Sequence, residues 1–167
     1  MDILEFAMKM ELDGKAFYDK QARNTSNPEL KKIFQHLAEE EERHYLFFKN
    51  MKEGNLAEAA EQVRSSDTLT KVKNIFVELS SKSDQTFGDE ELTAWMEAMQ
   101  IEEKAESFYR EKANEEKEPG KKELLSKIAD EEQNHIHMID SVITYIKFPD
   151  SFADSAQFKN FQSLEGH

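Results

Sequence analysis

The feature that most constrains this chain is a pair of matching segments set 91 residues apart. Ala7-Met8 recurs as Ala98-Met99, Glu11 as Glu102, Phe17-Tyr18 as Phe108-Tyr109 and Ala22 as Ala113. The match continues without a gap through Pro28 and Pro119, Ala38 and Ala129, Glu41 and Glu132, and His44 and His135. One offset covers both arms of each segment and the proline between them. The pattern therefore reads as a duplicated helical hairpin whose copies pack about a pseudo-two-fold axis. Chance likeness between acidic amphipathic helices is a poor account of matches that share one offset and include Met, Tyr, Pro and His.

Each arm carries helical periodicity. One face of the first holds Leu4, Ala7, Met8, Glu11, Gly14, Tyr18 and Ala22; the second holds Leu30, Ile33, Phe34, Leu37, Glu41, His44, Phe48 and Met51. The third holds Trp95, Met99, Glu102, Ala105, Tyr109 and Ala113; the fourth holds Leu124, Leu125, Ile128, Glu132, His135, Ile139, Val142 and Ile146. Short polar runs with Pro28 and Pro119 join the arms, which makes each pair an antiparallel hairpin. The connector from Met51 to Asp89 is long enough to run the length of a bundle, with short helices expected over Asn55–Arg64 and Leu69–Ser81. The expected fold is all-α: a four-helix bundle over residues 1–147, made of two hairpins joined by a long crossover. Residues 148–167 form a C-terminal tail rich in Phe, a candidate contact in a homodimer.

With 167 residues the chain fits one domain, and five Gly and three Pro leave helices few interruptions. A net charge of −13 argues against nucleic-acid and anionic-membrane surfaces. No apolar run is long enough to span a bilayer and the N-terminus does not read as a signal peptide, so a cytoplasmic location is expected. There is no Cys, so any metal must be held by His and carboxylate, ligands that suit iron and manganese.

The apolar faces contain residues that should not be there. Glu11, Glu41, Glu102 and Glu132 occupy positions that packing would give to Leu or Ile, and so do His44 and His135. A buried carboxylate without a partner is costly enough to take up a proton, and four together repel one another. No Lys or Arg lies on those stripes to neutralise them. Two divalent cations would balance four carboxylates. In Glu41-x-x-His44 and Glu132-x-x-His135 the two side chains share a helix face and can present an oxygen and a nitrogen to one cluster. A single Glu-x-x-His says little in a chain this rich in Glu. Two of them, each thirty residues after the start of its own lone Glu partner, are a specific signal. His36, His137 and His167 have no histidine counterpart in the repeat and read as surface or packing residues.

These residues resemble the rubrerythrin branch of the ferritin-like superfamily, over roughly residues 3–147. The resemblance implies a ferritin-like bundle holding two iron ions, with manganese or a mixed pair also suited to the ligand set. It implies that Glu11 and His44 are terminal ligands of one metal, that Glu102 and His135 serve the other, and that Glu41 and Glu132 bridge them. It further implies that Tyr18 and Tyr109 hydrogen-bond to the ligands. Two departures stand out. Full-length rubrerythrins carry a cysteine-ligated domain that supplies electrons, so an external electron-donor protein is expected here. Rubrerythrins also place an extra Glu where this chain has Met99, whose repeat partner is Met8; both read as core fillers. The activity implied is reduction of hydrogen peroxide or dioxygen by a di-iron site. The alternatives are iron handling, as ferroxidase, storage or delivery, and a non-enzymatic metal-binding or sensing role.

Overall fold

The structure, a computed structural model, describes residues 2–64, 68–81 and 86–149. It contains α1 (Ile3–Asn24), α2 (Pro28–Lys52), α3 (Leu56–Arg64), α4 (Thr68–Ser80), α5 (Asp89–Glu115) and α6 (Pro119–Lys147), and no strand among the described residues. The expected all-α fold of two hairpins and a crossover is what forms. The tail beyond Pro149, with Phe152, Phe158, Phe161 and His167, lies outside the described residues. No helix among them is long and apolar enough to cross a membrane.

The helix boundaries follow from local chemistry. The Asp2 carboxylate caps α1 by accepting from the Glu5 amide at 2.8 Å. Asn27 caps α2 by accepting from the amides of Glu29 and Leu30. Pro28 and Pro119 sit in the first turns of α2 and α6, where a missing N–H costs nothing. The prolines that separate the arms in the sequence thus begin the second arm of each hairpin. Beyond α2, Gly54 takes φ +82, and the Asn55 amide bonds back to the Asn50 carbonyl at 2.8 Å, turning the chain into α3.

α1 packs on α2 and α5 on α6, while α3 and α4 lie against both α2 and α6. The hydrocarbon of the bundle is divided into two clusters. One joins Tyr18, Phe34, Trp95, Ile139 and Tyr145 to Val72, Phe76 and Leu79 of α4. Phe34 and Trp95 stack there at 4.0 Å, and the Tyr145 hydroxyl donates to the Leu79 carbonyl at 3.1 Å, fixing the crossover. The other joins Ala7, Phe47, Phe48, Met51, Tyr109 and Leu125 to Ala59 of α3. Met8 and Met99 pack against one cluster each. Between the clusters runs a band of buried polar residues.

Candidate metal centre

All six residues singled out by the repeat lie in that band. Glu11 projects from α1, Glu102 from α5, Glu41 and His44 from α2, and Glu132 and His135 from α6. None is more than 3% exposed. Their donor atoms form two groups, each with members within 4.8 Å of one another: Glu11, His44 and Glu132, and Glu41, Glu102, Glu132 and His135. Glu11 falls with His44 and Glu102 with His135, and Glu132 belongs to both groups. Glu41 belongs to the second group alone. His44 Nδ1 lies 2.7 Å from Glu132 Oε1 and 3.6 Å from Glu11 Oε2. His135 Nδ1 lies 3.5 Å from Glu102 Oε2 and 3.8 Å from Glu132 Oε2.

These residues fit a pair of cations. Each of the six carries at least one fully buried atom with no hydrogen-bond partner: Glu11 Oε2, Glu41 Oε1, His44 Nδ1, Glu102 Oε2, both Glu132 oxygens and His135 Nδ1. Buried polar atoms are normally hydrogen-bonded, and seven that crowd one another without a formed hydrogen bond, His44 Nδ1 and Glu132 Oε1 at ion-pair distance among them, suit a bound ion. The protonation of the metal-free cluster shows the same stress. Burial and the neighbouring charges of Glu11 and Glu102 push the Glu41 carboxyl well above its usual range. Burial and Glu102 raise Glu132 to about 8. Burial opposes protonation of His44 and His135, but the surrounding carboxylates outweigh it and raise both. Without cations the cluster holds protons in their place, and metal binding must displace them.

The tyrosine and histidine contacts that support the centre cross from one hairpin to the other. The Tyr18 hydroxyl of α1 donates to Glu102 Oε1 of α5 at 2.6 Å, and the Tyr109 hydroxyl of α5 donates to Glu11 Oε1 of α1 at 2.5 Å. Burial and the carboxylate charge raise both tyrosines well above 10, which keeps them protonated as donors. On the α2/α6 side, His44 Nε2 lies 3.2 Å from Glu131 Oε1, and His135 Nε2 lies 3.7 Å from Glu40 Oε1. Arg43 joins these two outer carboxylates. Its Nε donates to Glu40 at 2.8 Å and its Nη2 donates to Glu131. Burial opposes ionisation of both carboxyls, but His135 and Arg43 beside Glu40, and His44 and Arg43 beside Glu131, hold them below their usual range.

Sequence reasoning missed this outer layer. Arg43 is off the central stripe and does not touch the inner glutamates, so the absence of a basic residue on the stripes remains true. The signal for the outer carboxylates was the doubled acid in the repeat, Glu40-Glu41 and Glu131-Glu132. His36 is buried by packing, with Nδ1 3.9 Å from Glu39.

The opposite, α1/α5 side is open. A cleft of about 400 Å³ is lined by Phe6, Met10 and Gly14 of α1 and Ile101, Ala105 and Phe108 of α5, with the exposed Asp13 and Lys104 beside them and Glu11 and Glu41 at its floor. The Phe6 and Phe108 rings meet across it at 5.1 Å. Gly14 makes the floor possible, because a Cβ there would lie 2.8 Å from Glu41 Oε2.

Two helical hairpins carrying buried carboxylates and histidines with convergent unpaired atoms define a four-helix-bundle protein with a site suited to two metal ions. Within that class the assignment is specific: a family model for rubrerythrin matches residues 2–143, and the chain belongs to that family. Searches of curated proteins and of solved structures gave no match.

Proposed function

We propose that the protein is a di-iron carboxylate oxidoreductase that reduces hydrogen peroxide, with dioxygen as the alternative oxidant. The observation that carries this reading is the set of seven buried, convergent ligand atoms without a hydrogen bond on four glutamates and two histidines. When bound, two adjacent irons supply two electrons to one substrate without releasing a one-electron radical. The chain's own residues do the rest. Glu11 and His44 would hold one ion and Glu102 and His135 the other, with Glu132 between them and Glu41 beside the cleft. Tyr18 and Tyr109 hold one oxygen of Glu102 and of Glu11, leaving the other oxygen of each free for an ion. Glu131 and Glu40 lie at the outer nitrogens of the histidines, where they orient the rings and raise their basicity. The two apolar clusters keep water away from both ends of the polar band.

The test is anaerobic loading with Fe(II) followed by metal analysis. The expected result is two irons per chain, abolished by Glu41→Ala combined with Glu132→Ala. Peroxide should then oxidise the loaded chain within seconds, read by absorbance. A loaded chain that stays reduced over minutes in excess peroxide would refute the oxidoreductase reading.

A further inference from the structure

We infer that the α1/α5 cleft binds the apolar body of an organic hydroperoxide, so that the substrate is a molecule ROOH in preference to hydrogen peroxide. This rests on the peroxide-reducing reading above and names its substrate class. The cleft is amphipathic in one direction. Phe6, Met10, Gly14, Ile101, Ala105 and Phe108 give it an apolar wall, the exposed Asp13 and Lys104 also line it, and the buried Glu11 and Glu41 are the polar groups at its floor. A ligand matched to it has a polar end directed at the floor and a hydrocarbon body above. Hydrogen peroxide has no such body and gains nothing from two phenylalanines. An apolar group placed there gains about 25 cal/mol for each Å² of apolar surface removed from water. The volume of about 400 Å³ and the mostly apolar lining with few polar groups are those of a small-molecule site.

The α2/α6 side is closed by Glu40, Arg43 and Glu131. A larger cavity of about 670 Å³ lies at the end of the bundle, between Leu4, Met51 and Leu125, and touches none of the six ligand residues. A concave cleft of about 400 Å³ suits a small molecule better than the face of a second copy of the chain. Other exposed apolar residues, Ile3 and Leu12 on α1, Met96 on α5 and Leu46, Val77 and Phe148 elsewhere, do not line the cleft. In the reaction the O–O bond breaks and ROOH takes up two electrons and two protons to give ROH and water. The electrons are those a reduced metal pair carries, and the protons come from solvent.

Two measurements test this. In the first, cumyl alcohol, the product expected from cumene hydroperoxide, is titrated into the metal-free full chain, and methyl NMR signals are followed. Saturable shifts at Met10, Ile101 and Ala105 that disappear in Ile101→Trp and in Met10→Trp are expected. No shift, or shifts confined to Leu4, Met51 and Leu125, would overturn the assignment. In the second, the Fe(II)-loaded chain is mixed with hydrogen peroxide, tert-butyl hydroperoxide or cumene hydroperoxide. The oxidation rate should rise along that series, and the ratio of the cumene to the hydrogen peroxide rate should fall at least tenfold in either Trp variant that still binds two irons. An unchanged ratio, or a rate that falls along the series, refutes the substrate assignment and leaves the peroxide reading standing. If no peroxide oxidises the loaded chain, the peroxide reading fails and the substrate assignment fails with it.

Discussion

Along α2 and α6 the centre is backed by charge; along α1 and α5 it is backed by hydrocarbon. Both faces come from the same duplicated hairpin, so the difference lies in which arm faces outward. The α2/α6 arms bring Glu40 and Glu131 to the outer nitrogens of His135 and His44. The α1/α5 arms bring Met10 beside Ile101 and Gly14 beside Ala105, pairs that the repeat itself relates. A site with one sealed polar face and one open apolar face has a direction: ligands are oriented from behind and substrate arrives in front. Arg43 sharpens the contrast, because its repeat partner is Asn134. Two guanidinium groups at a pseudo-two-fold axis would repel, and one is enough to reach both outer carboxylates.

The largest effect is expected from removing that arginine. Arg43→Ala leaves two carboxylates largely buried without their cation. Breaking such a network costs about 3 kcal/mol, less where solvent reaches the group. Loss of the carboxylates' orientation should also weaken metal binding roughly ten- to a hundredfold. Chemical denaturation and competition with a chelator measure the two effects separately. Full metal affinity in a destabilised variant would mean that Glu40 and Glu131 do not orient the histidines, and the sealed face would be structural only.

The tyrosines test whether the two halves of the site are equivalent. Tyr18→Phe and Tyr109→Phe each remove a donor to a buried carboxylate, worth about 2 kcal/mol. Because the contacts are related by the repeat, equal losses in thermal stability of the loaded protein are expected. A loss confined to one variant would show that one half of the site carries the strain.

The contrast between the faces also marks what can be read from the amino-acid order. The six inner residues and both tyrosines were legible because they break, or sit on, an apolar stripe and recur at one offset. Glu40 and Glu131 were not singled out, since the run Glu39-Glu40-Glu41-Glu42 gives one carboxylate little distinction from the next. Which of them faces inward depends on a helix rotation of a few tens of degrees, settled by packing. Arg43 lies on the flank of α2, and its reach to Glu131 depends on how closely α2 and α6 approach. The cleft depends on the spacing between α1 and α5, which no periodicity encodes. The sharing of Glu132 between both donor groups, with Glu41 in one, is likewise a matter of side-chain rotamers.

The protons held by the metal-free centre predict a change of sign in the effect of pH. Glu132 rises from 4.5 to about 8 on folding, and Glu41 is also raised. A group raised on folding contributes stability fully present below its unfolded value, lost as pH rises through its folded value. The metal-free chain should therefore melt several degrees lower at pH 8 than at pH 5. Of the groups lowered on folding, Glu40, Glu102 and Glu131 act below about 4.5, while His36, lowered by burial, acts within the window and opposes the trend as one group against the raised Glu41, Glu132, His44 and His135. With metal present the order should reverse, because protons compete with the cations for the same atoms. A metal-free melting temperature that rises from pH 5 to pH 8 would mean that the inner carboxylates are not protonated.

The smallest effect on stability, and the finest probe of the comparison, is expected at Gly14. Alanine is the better helix former by about 1 kcal/mol. Its Cβ would lie 2.8 Å from Glu41 Oε2, and relieving such an overlap in a packed site costs about 1–3 kcal/mol. The two terms nearly cancel, so Gly14→Ala should leave the melting temperature of the metal-free chain within a few degrees of the parent. The overlap is not spread over the fold, however; it falls on one ligand oxygen at the floor of the cleft. Glu41 must then move toward α6, and metal affinity should fall by about tenfold, which is roughly 1.4 kcal/mol. The repeat supplies the control. Ala105 already carries the methyl group that Gly14 lacks, and Ala105→Gly should cost the usual helix penalty without displacing Glu41. If Gly14→Ala binds metal like the parent, Glu41 has room to spare and the opening over it is incidental. If affinity falls while stability does not, the missing Cβ is what lets the apolar face reach the metal site.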